Sequence, residues 1–199
     1  MKFIKYFFIT IFALIVLFFA MGFIQPVVEY GHTIKVDKPI EEAWAVSEDI
    51  DKYDQWLDGF KSMELISGEH GEVGSKYKII VNPGEGQEDF EMIETVVSKK
   101  EFDHIEMHFD NEAMDFYQKI SYSENDGTTT ISTDSKVDGK SLTMRSMFAW
   151  MELLMNAFEK QEAKNMEALK VLIEENTTDY YPEPEPEVEM ETDSLSVSF

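Results

Sequence analysis

The stretch TTTISTDSKVDGKSLTMRSMFAWMELLMNAF, residues 128–158, contains a change of period that decides the fold. In its first part Thr129, Ile131, Thr133 and Val137 fall on one side of an extended chain, the repeat of a half-buried strand, and Asp138-Gly139 closes it. From Leu142 the repeat lengthens. Met144, Met147, Phe148, Met151, Met155, Phe158, Met166, Leu169 and Ile173 recur at steps of three and four. That spacing predicts one amphipathic helix of about 33 residues, about 50 Å long, with a bend near Lys160-Gln161.

Upstream of the switch the chain alternates repeatedly between strand patterns and turn residues. Met114, Phe116, Ile120 and Tyr122 share one face of a strand that ends at Asn125-Asp126-Gly127, a hairpin signal. Ile105–Phe109, Phe90–Lys99, Tyr77–Val81 and Phe60–Ser67 are further strands, separated by Gly68, Gly71, Gly74 and by Asn82-Pro83-Gly84. Before them Val28, Tyr30, His32, Ile34 and Val36 alternate as a first strand. Asp37 and Pro39 then start a short helix through Trp44, with Glu41 and Glu42 at the positive end of its dipole, and a second short turn follows at Tyr53–Trp56. The short connections imply six or seven mostly antiparallel strands. The expected class is α+β, an antiparallel meander followed by a long C-terminal helix.

The two ends differ in composition from this middle. No charged residue lies between Tyr6 and Ile24, and about 19 apolar residues nearly span a hydrocarbon core of about 30 Å. With Lys2 and Lys5 ahead of it, the segment reads as a single-pass anchor, its N-terminus cytoplasmic and the domain extracytoplasmic. A cleaved signal peptide ending near Ala20-Met21-Gly22 is the alternative, although its apolar region is ordinarily shorter. Residues after Asn176, from Tyr181-Pro182 onward, are acidic and Pro/Glu-rich and cannot build a core. The expected organisation is an anchor over 1–26, a folded domain over 27–176, and a disordered tail over 177–199, the last a possible docking peptide for a protein partner.

Of the 199 residues, 40 are acidic and 17 basic, a net charge of −23. This excludes nucleic acid, whose binding needs Lys and Arg to displace counterions. The same field repels an anionic lipid surface, so membrane contact must come from the apolar segment. Without cysteine there are no disulfides, thiolate metal sites or cysteine nucleophiles.

The order of elements and several short motifs resemble the SRPBCC superfamily, the START-like helix-grip fold that includes polyketide cyclase/dehydrase-like and lipid-transfer proteins. The matching residues are Ile34-Lys-Val-Asp-Lys-Pro39 with Glu42 and Trp44, then Asp51, Tyr53 and Trp56, then Gly71-Glu-Val-Gly74-Ser75, and finally Asn165-Met-Glu-Ala-Leu-Lys170. They span about three quarters of the chain. The resemblance implies a helix-grip fold, a curved antiparallel sheet wrapped around the long C-terminal helix, with a cavity between them that takes a hydrophobic or lipid-like small molecule. Tyr77, Ile79, Met107, Phe109, Met114 and Phe116 from the strands, and Met147, Met151 and Met155 from the helix, are the expected lining, methionine suiting an adaptable wall. No family residue carries over as catalytic.

Chemistry-bearing patterns are few. His104, Glu106, His108 and Asp110 lie at two-residue steps on one strand face, a set able to ligate zinc. Ile105, Met107 and Phe109 on the other face must point to the core, so the polar set is expected outside, and neither metal nor cofactor is expected. His32 shares an apolar face with Tyr30 and Ile34; with Gln118 and Tyr122 it is a polar pocket candidate. No nucleophile elbow and no phosphate loop occur. The leading expectation is a membrane-anchored binder of a hydrophobic ligand. An enzyme of the cyclase/dehydrase kind and a protein-interaction module with a filled core are the alternatives.

Overall fold

The computed structural model describes residues 2–182 apart from Pro83 and Glu85. The acidic tail expected over 177–199 therefore lies, from residue 183 on, outside the described residues.

Eight strands form a single antiparallel sheet: β1 (Val27–Tyr30), β2 (Thr33–Val36), β3 (Phe60–Ser67), β4 (Lys76–Val81), β5 (Phe90–Lys100), β6 (His104–Asp110), β7 (Met114–Asn125) and β8 (Thr128–Gly139). Their order is β1-β8-β7-β6-β5-β4-β3, with β2 also on β8. The eighth strand arises because the first alternating segment is interrupted. Val27 pairs with Asp138 and Thr33 with Ser132, so one register runs through both halves. At the interruption Gly31 passes so close to β8 that a Cβ there would lie 2.3 Å from the Thr133 carbonyl oxygen. The β7–β8 hairpin turns on Asp126 and Gly127, both at positive φ (51° and 77°), as a two-residue primed turn requires.

The described residues also form five α-helices, α1 (Lys2–Ile24), α2 (Ile40–Ser47), α3 (Tyr53–Trp56), α4 (Leu142–Met155) and α5 (Ala157–Glu174), with a 3-10 turn at Ile50–Lys52 leading into α3. The sheet grips α5, whose Met166, Leu169 and Ile173 are fully buried. They join Ala43, Trp44 and Val46 of α2 and Ile34, Val36, Ile79, Val96, Ile105, Ile120 and Ile131 of the sheet in one core. Tyr122 sits at its edge, in edge-to-face contact with Trp44 and hydrogen-bonded to the Ser47 hydroxyl at 2.7 Å.

The C-terminal helical segment is not one helix. It breaks at Asn156, which takes the left-handed conformation (φ 48°, ψ 49°), rather than bending at Lys160-Gln161. Asparagine reaches this region at small cost, and Glu152 stabilises the junction. Its carbonyl accepts the Asn156 N–H at 2.8 Å and its carboxylate accepts the Phe158 N–H at 2.9 Å, capping the start of α5. Periodicity does not register the break because the apolar steps continue through it.

The break sends α4 away from the grip and along α1. Gly22 packs on Ser146 and Leu142, while Trp150 donates from Nε1 to the Phe18 carbonyl at 3.3 Å, so the two helices run antiparallel. A Cβ at Gly22 would lie 2.5 Å from Ser146 Oγ, and Ser146 and Ala149 are completely buried. Small residues thus let the backbones meet, as in helix pairs within membranes. At the C-terminal end of α4, Leu153, Leu154 and Met155 are exposed by 57%, 73% and 61%. α1 itself is long and apolar enough to span a membrane or to serve as a signal sequence.

Beyond α5 the chain turns back onto α2. Asn176 donates to the Glu42 carboxylate at 2.9 Å and accepts from Lys52 at 3.0 Å, and the Tyr180 hydroxyl donates to Asp49 at 2.6 Å.

Candidate functional site: a cavity between sheet and helix

Between the concave sheet face and α5 lies a cavity of about 240 Å³. Its floor is the inward-facing set of three neighbouring strands: Ile79 and Val81 from β4, Met92 and Glu94 from β5, and Met107 and Phe109 from β6. Phe116, Gln118 and Ile120 of β7 continue it. Alternation places them there, since every second residue points inward and the antiparallel register sets Tyr77 beside Glu94 and Glu94 beside Phe109. Phe158, Gln161, Glu162, Asn165 and Met166 of α5 form the roof, and Tyr53, Trp56 and Leu57 in and after α3 form one end. Tyr30, Phe158 and Phe116 stack as one aromatic wall.

The solvent-facing part of the lining is held by a polar latch. Asp58, just after α3, receives hydrogen bonds from Lys164 at 2.7 Å and from Gln161 at 3.2 Å, and its backbone N–H donates to Asn165 at 3.2 Å. The lysine hydrogen bond, the largest cause, holds the Asp58 carboxyl below its usual range against a small burial effect.

Four carboxyl side chains line the cavity, Glu48, Asp58, Glu94 and Glu162; no Lys, Arg or His does so among the described residues. Glu48 is paired with Lys99 at 2.9 Å, outside the lining. Glu162 receives the Gln118 amide at 3.0 and 3.3 Å, and burial raises its pKa despite those bonds. Glu94, only 5% exposed, has neither a hydrogen bond nor an ion pair among the described residues. Burial, reinforced by Glu48, pushes its carboxyl up to about 8. Trp56 Nε1–H is likewise buried without an acceptor. Burial also raises the hydroxyl pKa of Tyr30 and Tyr53.

The residues singled out from sequence distribute unevenly. Ile79, Met107, Phe109, Phe116 and Gln118 lie in the cavity lining. Met147, Met151 and Met155 do not. They belong to α4, which the break at Asn156 turns out of the grip, and all three are exposed on its surface. Tyr77 is buried but directs its hydroxyl to the Gly71 N–H at 2.6 Å and to His70 at 3.1 Å. Met114 packs with Val28, Val137 and Phe148 beneath α4. His32 projects to the surface, 3.5 Å from Glu167, and Tyr122 is closed off by Ser47. His104 and His108 lie on the outer face, with His104 beside Asp103 and His108 2.8 Å from Asp115; the described residues contain no metal-ligating group.

Glu94 and Glu162 escaped the sequence reading. On β5 both alternating sets are rich in apolar residues, Met92 and Val96 on one side, Ile93 and Val97 on the other, so the strand has no obvious core face. The available signal was a charged residue in phase with Met92 and Val96.

No protein-family sequence model and no curated relative matches the chain. Solved structures do. The chain resembles Ara h 8.0201 with a TM-score of 0.58 at 12% identity over 75% of this chain and 99% of that one. It resembles the di-domain ARO/CYC BexL of the BE-7585A biosynthetic pathway with a TM-score of 0.56 at 13% identity, over 76% of this chain and 51% of BexL. A START superfamily protein from Mycobacterium smegmatis matches with a TM-score of 0.53 at 17% identity, over 73% and 94% of the respective chains. In each comparison the matched region is about three quarters of this chain, enough to include the sheet, α2, α3 and the gripped helix. This protein therefore has the START-like helix-grip fold that these structures share.

Proposed function

We propose that the protein is a membrane-tethered domain that binds a hydrophobic or lipid-like small molecule between its sheet and α5. The carrying observation is the cavity of about 240 Å³, walled by aromatic and aliphatic side chains with a few polar groups, the usual composition of a small-molecule site. In this reading residues 1–26 are the anchor and 27–176 the binding domain, on the extracytoplasmic side given Lys2 and Lys5. The seam between α1 and α4 supports retention of the anchor, because cleavage near Ala20-Met21-Gly22 would uncover Ser146 and Ala149. The exposed Leu153, Leu154 and Met155, alongside an apolar α1, are suited to the acyl-chain region. The lining of α5 begins within two turns of them, so an apolar ligand has a short path between bilayer and cavity.

The test is binding of a neutral apolar fluorophore to the full-length protein in nanodiscs, with Met107→Trp to fill the cavity. Saturable binding that the substitution weakens by about tenfold or more supports the reading. Equal signal in both proteins, or none above empty nanodiscs, refutes it.

One observation favours a second reading, an enzyme acting on the bound molecule. A carboxyl that titrates near 8 inside a cavity is protonated at neutral pH and able to serve as a general acid. The similarity to the ARO/CYC BexL points the same way. Loss of turnover in Glu94→Gln with binding intact would distinguish an enzyme from a carrier.

A further inference from the structure

We propose that the cavity's occupant is a hydrophobic molecule bearing a protonated amine, held by Glu94 on the Tyr53 side of the cavity, with Glu162 as a second unmatched carboxyl in the lining. This deepens the reading above and rests on the cavity being a ligand site.

Charge in the lining is one-sided. Four carboxyl groups face the space and no basic side chain does among the described residues. Two of the four are already matched from outside the lining, Glu48 by Lys99 and Asp58 by Lys164. Glu94 and Glu162 are not. The one basic group whose charge acts on Glu162 is His32, and its Nε2 lies 3.5 Å from Glu167. Gln118 supplies Glu162 with amide hydrogens but no charge.

Glu94 is the stronger indication. It is 95% buried in the sense that only 5% of it is accessible, it lies on the cavity floor, and no described residue partners it. A buried carboxyl with no partner costs several times what a hydrogen-bonded one does. An ammonium group supplies what is missing, both donors and charge, and on binding it converts Glu94 from its protonated form to the carboxylate, the proton passing to solvent. A ligand ending in a carboxylate or phosphate finds no basic side chain in the lining to pair with among the described residues. The inferred class thus favours amphipathic amines over fatty acids and phosphate-bearing lipid headgroups.

The experiment uses the full-length protein in phosphatidylcholine nanodiscs, with empty nanodiscs as blank, and three probes of matched shape: naphthylmethylamine, naphthylmethanol and naphthoate. Expected is an amine affinity about tenfold above that of the alcohol, the margin of a charge-assisted over a neutral hydrogen bond, with naphthoate weakest. Glu94→Gln should abolish that preference while retaining alcohol binding, which also reports that the variant is folded. Glu162→Gln should reduce the preference as an independent check. An amine that binds no better than the alcohol, a carboxylate that binds best, or a preference surviving in both variants overturns the inference and leaves the cavity as a neutral apolar site. If none of the three probes binds, the cavity is not a ligand site and the underlying reading falls with it.

Discussion

Replacing Glu94 by Gln preserves the shape of the side chain and removes its ionisation, so it isolates what a buried carboxyl does to stability. In the folded protein this carboxyl titrates at about 8, against the ordinary 4.5, because burial and, secondarily, Glu48 disfavour its charged form. Between those two values the folded chain keeps a proton that the unfolded chain has released. The folded state binds more protons there, so stability falls as pH rises. The penalty is absent below the unfolded pKa, grows through the interval, and levels off above about 8. At about 1.4 kcal/mol per pH unit it amounts to roughly 3 kcal/mol at neutral pH and on the order of 5 kcal/mol once the group is fully ionised. Glu162, whose carboxyl burial also raises, contributes in the same direction but is present in both proteins and cancels in their difference, while the neighbouring Tyr53 hydroxyl is held protonated. The glutamine amide, lacking a partner, costs about 1–3 kcal/mol at every pH. Urea unfolding of wild type and Glu94→Gln in detergent, from about pH 5 to about pH 9, should therefore give curves that diverge, the variant gaining on wild type by several kcal/mol. Parallel curves, offset by a constant amount, would show that Glu94 ionises freely or finds a partner, and would remove the basis for an unpartnered acid in the cavity.

Four further outcomes are expected. Asp58→Ala opens the latch and should speed both association and release of an apolar probe in stopped-flow mixing. Its cost in stability should stay below about 1 kcal/mol, because the Asp58–Lys164 pair is exposed. Gly22→Leu drives a side chain into Ser146 and Leu142 and should raise hydrogen exchange across Leu142–Trp150, leaving the sheet amides unchanged. Asn156→Val, at a left-handed position, should destabilise the α4–α5 junction by about 1–2 kcal/mol in urea unfolding, while Asn156→Gly should be nearly neutral. Trp150, in a Trp44→Phe, Trp56→Phe background, should be quenched by lipids with brominated acyl chains; an unquenched Trp150 would place α4 away from the bilayer.

Much of the architecture follows from local pattern. The alternation from Thr129 to Val137, the turn residues that punctuate the strands, and the shift of period at Leu142 suffice for an antiparallel meander followed by a helical C-terminus. The charge-free run from Tyr6 to Ile24 suffices for an isolated apolar helix. These signals are short-range, because backbone geometry repeats every two or 3.6 residues and the side chains repeat with it. The first strand appeared single in sequence and is continuous in register; only the approach of Gly31 to Thr133 divides it, and that contact spans 102 residues.

What the tertiary structure alone decided is which apolar face meets which partner. Met147, Met151 and Met155 recur at helical steps just as Met166, Leu169 and Ile173 do, yet the first three are exposed on α4 and the last three fill the grip. The cause is a left-handed Asn156 capped by Glu152, a local break that leaves the hydrophobic period intact. Glu94 illustrates the complementary case. Its chemical type was visible, but its burial came from the curvature that brings β4, β5 and β6 beneath α5. Periodicity records how a segment is made to face two environments. It does not record which surface of the molecule supplies the second one, because that depends on contacts between residues far apart in the chain.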